Sequence, residues 1–153
     1  MRTLWRISNR LDLEGNGGRF FSSRWSMIGR QIVYMAESPA GALLEVLVHL
    51  GDRDRKLPRT YTLLEIEAHD ELHVEELPIP SHSDWQGHPE VTQPIGEAWL
   101  ESVQTPLARV PSAIVPRAWN FLLNPEHPGA GQVKIVSVIR ERFDLRLLQS
   151  GLR

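Results

Sequence analysis

The chain contains 153 residues, a length typical of one domain, and we treat residues 1–153 as a single domain. Hydrophobic residues make up 41% of it and charged residues 24%, as in an ordinary soluble globular protein. It has no cysteine, which excludes disulfides and cysteine nucleophiles. A net charge of −2 argues against direct binding of nucleic acid. Because neither a signal peptide nor an apolar run of roughly 18 residues is present, we expect a cytoplasmic protein without a membrane span.

The first half of the chain predicts two strands and a helix around a long glycine-rich loop. The predicted elements are a strand at 3–7, a loop at 9–30, a strand at 31–36 and a helix at about 39–50. Ser38 is placed to cap this helix and Pro39 to occupy its first position, while Gly51 is expected to end it.

The second half predicts mostly strands. We expect a strand at 60–67, an irregular excursion at 68–90, a helix at 92–103, an edge strand or bulged pair at 107–115 and a final strand at 133–140. Ile95, Trp99 and Val103 share one face of the helix, and Pro111 favours the edge position of its strand. Since regular helices do not alternate with the strands, the pattern indicates the α+β class rather than a doubly wound parallel sheet.

Two residues of the first half are candidates for binding. Arg24 lies in the loop between Ser23 and Trp25, where a guanidinium can clamp a phosphate with two hydrogen bonds. Its alternative is a surface arginine whose stem covers Trp25. Tyr34 lies in the strand at 31–36, where its ring can stack on a flat heterocycle or pack in the core.

Glu45 breaks the apolar pattern of the helix that contains it. Its helical face includes Gly41 and Ala42, which allow close approach of a ligand. A carboxylate there is paired or lies in a cleft, because burying an unpaired charge is costly. The alternative is an exposed Glu45 that pairs with His49 one turn later.

Ser112 and Asn124 each stand in a predicted turn, where a side chain can bond to its own backbone. Two other patterns give weaker evidence for a binding site. The sequence GNGG at 15–18 is not followed by a helix, as a dinucleotide fingerprint requires, and the six histidines show no metal-ligand spacing. We therefore expect no metal site. One arginine, one aromatic ring and one carboxylate suit cleavage of an N-glycosidic bond in a dinucleotide, and they suit a simple binding pocket equally.

Taken together, the segments resemble the RES family, the toxin half of bacterial Xre–RES toxin–antitoxin pairs. The segments are SSRWSMIGRQIVY at 22–34, AESPAGALLEVLVHL at 36–50, VPSAIVP at 110–116 and NFLLNPEHP at 120–128. The resemblance runs from LWRIS at 4–8 to FDLRL at 143–147. It matches Arg24, Glu45 and Ser112 to the arginine, glutamate and serine that name the family, and Tyr34 to the family tyrosine.

The resemblance implies a fold similar to the ADP-ribosyltransferase toxins, with a split, mostly antiparallel β core, flanking helices and NAD in a cleft. It implies an enzyme that cleaves the nicotinamide–ribose bond of NAD, its substrate rather than a cofactor, by hydrolysis or phosphorolysis, and so arrests growth. ADP-ribosyl transfer to a cellular protein is the alternative activity. A third hypothesis is a module that binds a nucleotide or its antitoxin without chemistry.

The resemblance also assigns roles. Arg24 holds the NAD phosphates, Tyr34 stacks near the nicotinamide and Glu45 stabilises the developing ribosyl cation. Ser112 hydrogen-bonds the ribose or positions Arg24 and Glu45, and Asn124 is counted with the residues that bind NAD. The implied partner is a cognate Xre-type helix-turn-helix antitoxin that covers the cleft. We also consider a homodimer, because toxin–antitoxin complexes tend to be symmetric.

Three serines depart from the family pattern. Ser22 and Ser23 stand where it has glycines, and Ser26 stands where it has asparagine. Phe121 likewise replaces a frequent tyrosine. Since none of these changes removes a proposed catalytic group, the resemblance still implies an active enzyme.

Overall fold

One β-sheet organises the fold in a computed structural model that describes residues 1–50, 58–81 and 84–148. Within those ranges the strands are β1 (Arg2–Ile7), β2 (Val33–Ala36), β3 (Thr60–Ala68), β4 (Val74–Glu76), β5 (Leu107–Pro111), β6 (Trp119–Leu123) and β7 (Val133–Arg142). The helices are α1 (Pro39–Leu50), α2 (Pro89–Ser102) and the short α3 (Leu145–Leu148). The strand order is β4-β5-β6-β2-β1-β3-β7. Every neighbouring pair is antiparallel except β4 and β5, which confirms the α+β prediction.

The sheet is nearly divided between β1 and β2. These two strands pair only at Trp5 and Ala36, whereas β1 pairs with β3 along its whole length and β2 does the same with β6. The strands therefore form two halves, β4-β5-β6-β2 and β1-β3-β7, joined at one point. This arrangement is the split, mostly antiparallel core that the resemblance implies.

Apolar side chains of successive residues enter two separate clusters. In β6, Phe121 and Leu123 belong to one cluster and Leu122 to the other. Alternation of this kind places the clusters on opposite faces of the sheet. The second cluster contains Trp99 and Leu100, so α2 covers that face.

Helix α1 begins where the sequence predicts. The Ser38 hydroxyl accepts a hydrogen bond from the Gly41 backbone N–H at 2.9 Å, and Pro39 is the first helical residue. The helix is less buried than its composition suggests, because Ala42 is its only buried residue and Leu44 and Val48 are exposed. The predicted stop at Gly51 lies outside the described residues.

The structure differs from the sequence prediction in several places in the second half of the chain. The prediction that 107–115 forms an edge strand is wrong, since β5 lies between β4 and β6. Pro111 is tolerated because β4 pairs only with 107–109, so Pro111 needs no partner on that side. The irregular excursion contains β4, and β6 was not predicted at all. Val103 does not join the buried face of α2, since it is exposed and left-handed with φ 49°.

No helix in the described ranges is both long and apolar enough to span a membrane.

Candidate functional site

A cavity of about 600 Å³ opens where β1 and β2 diverge. Its walls come from β1, β2, the glycine-rich loop, α1 and the ends of β5 and β6. Pockets for small ligands and cofactors usually have volumes of roughly 300–1,000 Å³. The cavity lies at the division of the sheet because the backbones of β1 and β2 separate there and leave space for a ligand.

Arg24 lines this cavity and is half-buried. Its Nη1 donates a hydrogen bond to the backbone carbonyl of Gln86 at 2.5 Å, and its guanidinium carbon lies 5.9 Å from the centre of the Trp85 ring. Its own backbone carbonyl accepts a hydrogen bond from the Thr92 hydroxyl. Arg24 is therefore held from both its backbone and its side chain, which prepares its remaining donors for an anion.

A second arginine, Arg6 of β1, lines the same cavity. Its Nη1 donates a weak hydrogen bond to the Tyr34 carbonyl at 3.5 Å, while its Nε is buried and has no partner among the described residues. Burial lowers the pKa of the Arg6 guanidinium, opposed by the nearby charge of Asp12. Since an arginine remains charged at neutral pH, a buried donor without a partner is suited to an anionic ligand.

Tyr34 of β2 lines the cavity and belongs to the second apolar cluster at its edge. Its hydroxyl meets the hydroxyls of Ser23 and Ser26. Burial raises the pKa of the Tyr34 hydroxyl, although hydrogen bonds with Ser23 and Ser26 oppose this effect. The phenol is therefore neutral at physiological pH.

Glu45 lies on the face of α1 that lines the cavity, together with Ala42 and His49. Its Oε1 accepts a hydrogen bond at 2.9 Å from Nδ2 of Asn120, which comes from β6. No hydrogen bond joins Glu45 to His49 in the described structure. Asn120 thus fixes one carboxylate oxygen, while the described residues leave Oε2 without a hydrogen bond.

Ser112 lies just outside the cavity lining, at the bend that follows β5. Its hydroxyl accepts hydrogen bonds from the backbone N–H groups of Ile114 and Val115, both at 3.1 Å. Its neighbours Pro111 and Ala113 line the cavity. Ser112 therefore holds the bend that shapes the rim, which agrees with the turn interpretation of this serine.

Asn124 does not line the cavity. It is 2% exposed, its Nδ2 donates to the Leu100 carbonyl at 3.3 Å and its Oδ1 accepts from the Glu126 N–H at 3.0 Å. Its backbone N–H bonds to Pro106. Because these bonds fix the turn after β6, the position of Asn124 does not support direct contact with a ligand.

The chain matches a family model described as the RES domain over residues 3–146. The chain belongs to the RES domain family. Among curated relatives of this RES domain, the Toxin Res of Pseudomonas putida strain KT2440 is 46% identical over 86% of this chain and 90% of its own. The Prs ADP-ribosylating toxin of Sphingobium sp. strain YBL2 is 37% identical over 97% and 98% of the two chains.

A solved structure supports the fold of this RES domain. It is a crystal structure of the MbcT–MbcA toxin–antitoxin complex of M. tuberculosis, which matches 92% of this chain and 84% of that chain with a TM-score of 0.70 at 21% identity. At this identity the similarity establishes the fold alone. It confirms the split α+β architecture predicted from the resemblance.

The structure of the RES domain brings Arg24, Tyr34 and Glu45 to one cavity and places Ser112 at its rim. It also adds two cavity residues that sequence reasoning missed. Arg6 and Asn120 lie in strands. Their only signal in the sequence is a charged or amide side chain among apolar neighbours.

Proposed function

We propose that this chain is the toxin of a toxin–antitoxin pair and that it cleaves the bond between nicotinamide and ribose in NAD. The observation that carries the proposal is the composition of the cavity. Two arginines, the Glu45 carboxylate and several aromatic residues, Tyr34 among them, line a space of about 600 Å³. NAD presents a diphosphate, a flat pyridinium and a ribose, and each of these has a matching group on the wall.

Each residue takes a role that its contacts allow. Arg6 and Arg24, which both line the cavity, bind the diphosphate through their guanidinium groups. Tyr34 stacks its ring beside the nicotinamide. Glu45, held by Asn120, lies beside the ribose carbon that bears the nicotinamide. Ser112 acts indirectly, since its hydroxyl holds the bend at the rim.

In the reaction, the bond between the ribose carbon and the nicotinamide nitrogen breaks, and its electron pair neutralises the pyridinium. Positive charge then develops on the ribose, and the Glu45 carboxylate stabilises it because a fixed negative charge attracts the charge that develops in the transition state. An oxygen of water or phosphate forms the new bond and loses a proton. The products are nicotinamide and ADP-ribose or its phosphate ester.

Transfer of ADP-ribose to a protein is a second candidate activity. It is favoured by the relative named as the Prs ADP-ribosylating toxin, which matches nearly the whole chain. The bond that breaks is the same, and only the acceptor differs. NAD labelled in its adenylate part separates the two activities, because transfer leaves the label on an acceptor protein in a cell extract.

An antitoxin partner is the remaining part of the proposal. The cavity mouth carries exposed apolar side chains, with Phe21 68%, Val48 48% and Ile114 36% exposed. Exposed apolar side chains grouped around a cavity are typical of a protein-binding surface. We expect an Xre-type helix-turn-helix antitoxin to cover this rim. Its addition should block NAD cleavage, and undiminished cleavage in a stable complex would refute the arrangement.

The deciding experiment measures nicotinamide release from NAD by the purified chain, with and without phosphate. Glu45→Gln keeps the shape of the side chain but removes its charge, and we expect at least roughly 100-fold slower release with NAD binding largely retained. Glu71→Gln is the matched control, because Glu71 is exposed and outside the cavity. Equal rates in the wild type and a folded Glu45→Gln variant would refute the proposed role of Glu45.

A further inference from the structure

Three hydroxyl groups meet beside the cavity, which Ser23 and Tyr34 both line. The Ser23 hydroxyl lies 2.6 Å from that of Ser26 and also bonds to the Tyr34 hydroxyl, which lies 3.4 Å from Ser26. Ser26 is completely buried and Ser23 is half-buried. We call Ser23, Ser26 and Tyr34 the hydroxyl cluster.

The hydroxyl cluster connects β2 to the loop that bears Arg24. Ser23 and Ser26 flank the arginine, and the Ser23 N–H donates to the Ser26 carbonyl at 2.9 Å. On the other side of the loop, Gln93 of α2 donates from Nε2 to the Ser23 carbonyl at 2.8 Å. The Thr92 hydroxyl donates to the Arg24 carbonyl. Arg24 is therefore fixed between β2 and α2, and the hydroxyl cluster is the attachment to β2.

The Tyr34 hydroxyl is engaged within this cluster. Its neighbours are two serine hydroxyls, and its pKa is raised by burial, so it is neither ionised nor free to accept a proton from a ligand. Ser23 and Tyr34 both line the cavity. Because the hydroxyl of Tyr34 is taken up within the cluster, we expect its ring to be the group that contacts a ligand.

We propose that Ser23 and Ser26 are positioning residues, which orient the ring of Tyr34 and the guanidinium of Arg24 for the ligand, and that Tyr34 acts through its ring and not its hydroxyl. The inference rests on the proposed function in taking NAD as that ligand.

The test compares Ser23→Ala, Tyr34→Phe and their double variant in the full purified chain. Each single variant removes one hydroxyl and keeps the remaining shape, and the double variant removes both hydroxyls. Ser23→Thr restores a hydroxyl, and Ser137→Ala is the matched control, because Ser137 lies in β7 outside the cavity. The measurements are KM and kcat for nicotinamide release, NAD affinity by calorimetry, and hydrogen exchange of the backbone amides of residues 22–26.

We expect Ser23→Ala and Tyr34→Phe each to raise KM and the dissociation constant of NAD by about 3- to 10-fold, the effect of losing one hydrogen bond. The change in kcat should be smaller. The dissociation constant of NAD for the double variant should lie within about twofold of the larger single-variant value, since both substitutions remove the same contact. Ser23→Thr should restore most of the affinity, and exchange at 22–26 should accelerate in both single variants.

Two results would overturn the inference. A loss of roughly 100-fold in kcat for Tyr34→Phe alone would show that the hydroxyl takes part in the reaction. Fully additive effects, or unchanged affinity and exchange in both single variants, would show that the cluster positions nothing. If the wild type released no nicotinamide, the proposed function would fail, and NAD affinity with hydrogen exchange would still decide the role of the cluster.

Discussion

The chemistry of the cavity depends on keeping one carboxylate charged and oriented. Glu45 receives a hydrogen bond from Asn120, whose amide can donate to a carboxylate but cannot take its proton. A hydrogen bond to a charged group contributes about 1.5–3 kcal/mol, more than one between neutral groups. Asn120 is therefore the residue that determines where the charge of Glu45 points.

The role of Asn120 can be tested with a change of one atom. Asn120→Asp replaces the donor by a carboxylate that repels Glu45 at close range, so the two groups resist being ionised together. We expect nicotinamide release at neutral pH to fall by about 10- to 100-fold and the acidic limb of its pH profile to move to higher pH. The measurement is kcat as a function of pH.

A matched control separates this effect from a general change in charge. Asn9→Asp adds the same charge at an exposed position at the start of the glycine-rich loop, and it should leave the profile unchanged. A folded Asn120→Asp variant with the profile of the wild type would contradict the proposed role of Asn120.

At the residue scale, the sequence identifies side chains that break a local pattern. Glu45 is recognisable because it interrupts an apolar helix, and Arg24 because a family motif surrounds it. Arg6 and Asn120 are not recognisable from the sequence. Side chains alternate between the two faces of a strand, so a single polar residue in a strand usually faces solvent. Only the division of the sheet at Trp5 and Ala36 turns those two positions toward a cavity.

At the scale of elements, α2 acts as a support for the arginine loop. A Cβ atom at Gly96 would lie 1.8 Å from the backbone carbonyl oxygen of Trp25, so the helix and the loop touch without space for a methyl group. Glu97 adds a hydrogen bond from the Met27 N–H at 2.6 Å and an ion pair with Arg30 at 2.7 Å. Helix α2 thus fixes the position of the loop that bears Arg24.

This contact predicts the effect of Gly96→Ala. The helix or the loop must shift to accept the methyl group, and we expect the free energy of unfolding to fall by about 1–3 kcal/mol, as for overpacked cores. NAD affinity should fall as well, because Arg24 moves with the loop. Urea unfolding and calorimetry measure the two effects.

Gly131→Ala is the control, because nothing lies within 4 Å of a Cβ atom at Gly131. This control should change stability by less than about 0.5 kcal/mol, as surface substitutions usually do. Equal stability of the two alanine variants would contradict the close contact between Gly96 and Trp25.

The elements themselves were predictable where local signals are strong. β1, β3, β7 and the capped start of α1 follow from β-branched runs and from Ser38 with Pro39. β6 was missed because its short apolar run precedes a turn, and β4 because three residues carry no periodicity. Both are defined by pairing with β5, a contact between distant parts of the chain that local patterns do not report.

For the whole molecule, the division between β1 and β2 is the feature from which function follows. The two halves of the sheet carry different parts of the site, with Arg6 on one half and Tyr34 and Asn120 on the other. Helix α1, with Glu45, contacts both β1 and β2. Global stability therefore depends on groups that also form the cavity, and Tyr34 is the clearest example.

At alkaline pH, the free energy of unfolding of the whole chain should depend on the ionisation of Tyr34. Burial raises the pKa of Tyr34 above its usual value of 10.0. Above about pH 10 the unfolded chain loses this proton while the folded chain keeps it, so the unfolded state binds fewer protons and the free energy of unfolding falls as pH rises. Urea unfolding at about pH 9 and about pH 11 should show a smaller fall in Tyr34→Phe than in the wild type. Tyr61→Phe, which retains Tyr34, is the control and should keep the wild-type difference between the two pH values. An identical fall in Tyr34→Phe and the wild type would mean that burial does not keep this proton bound in the folded state.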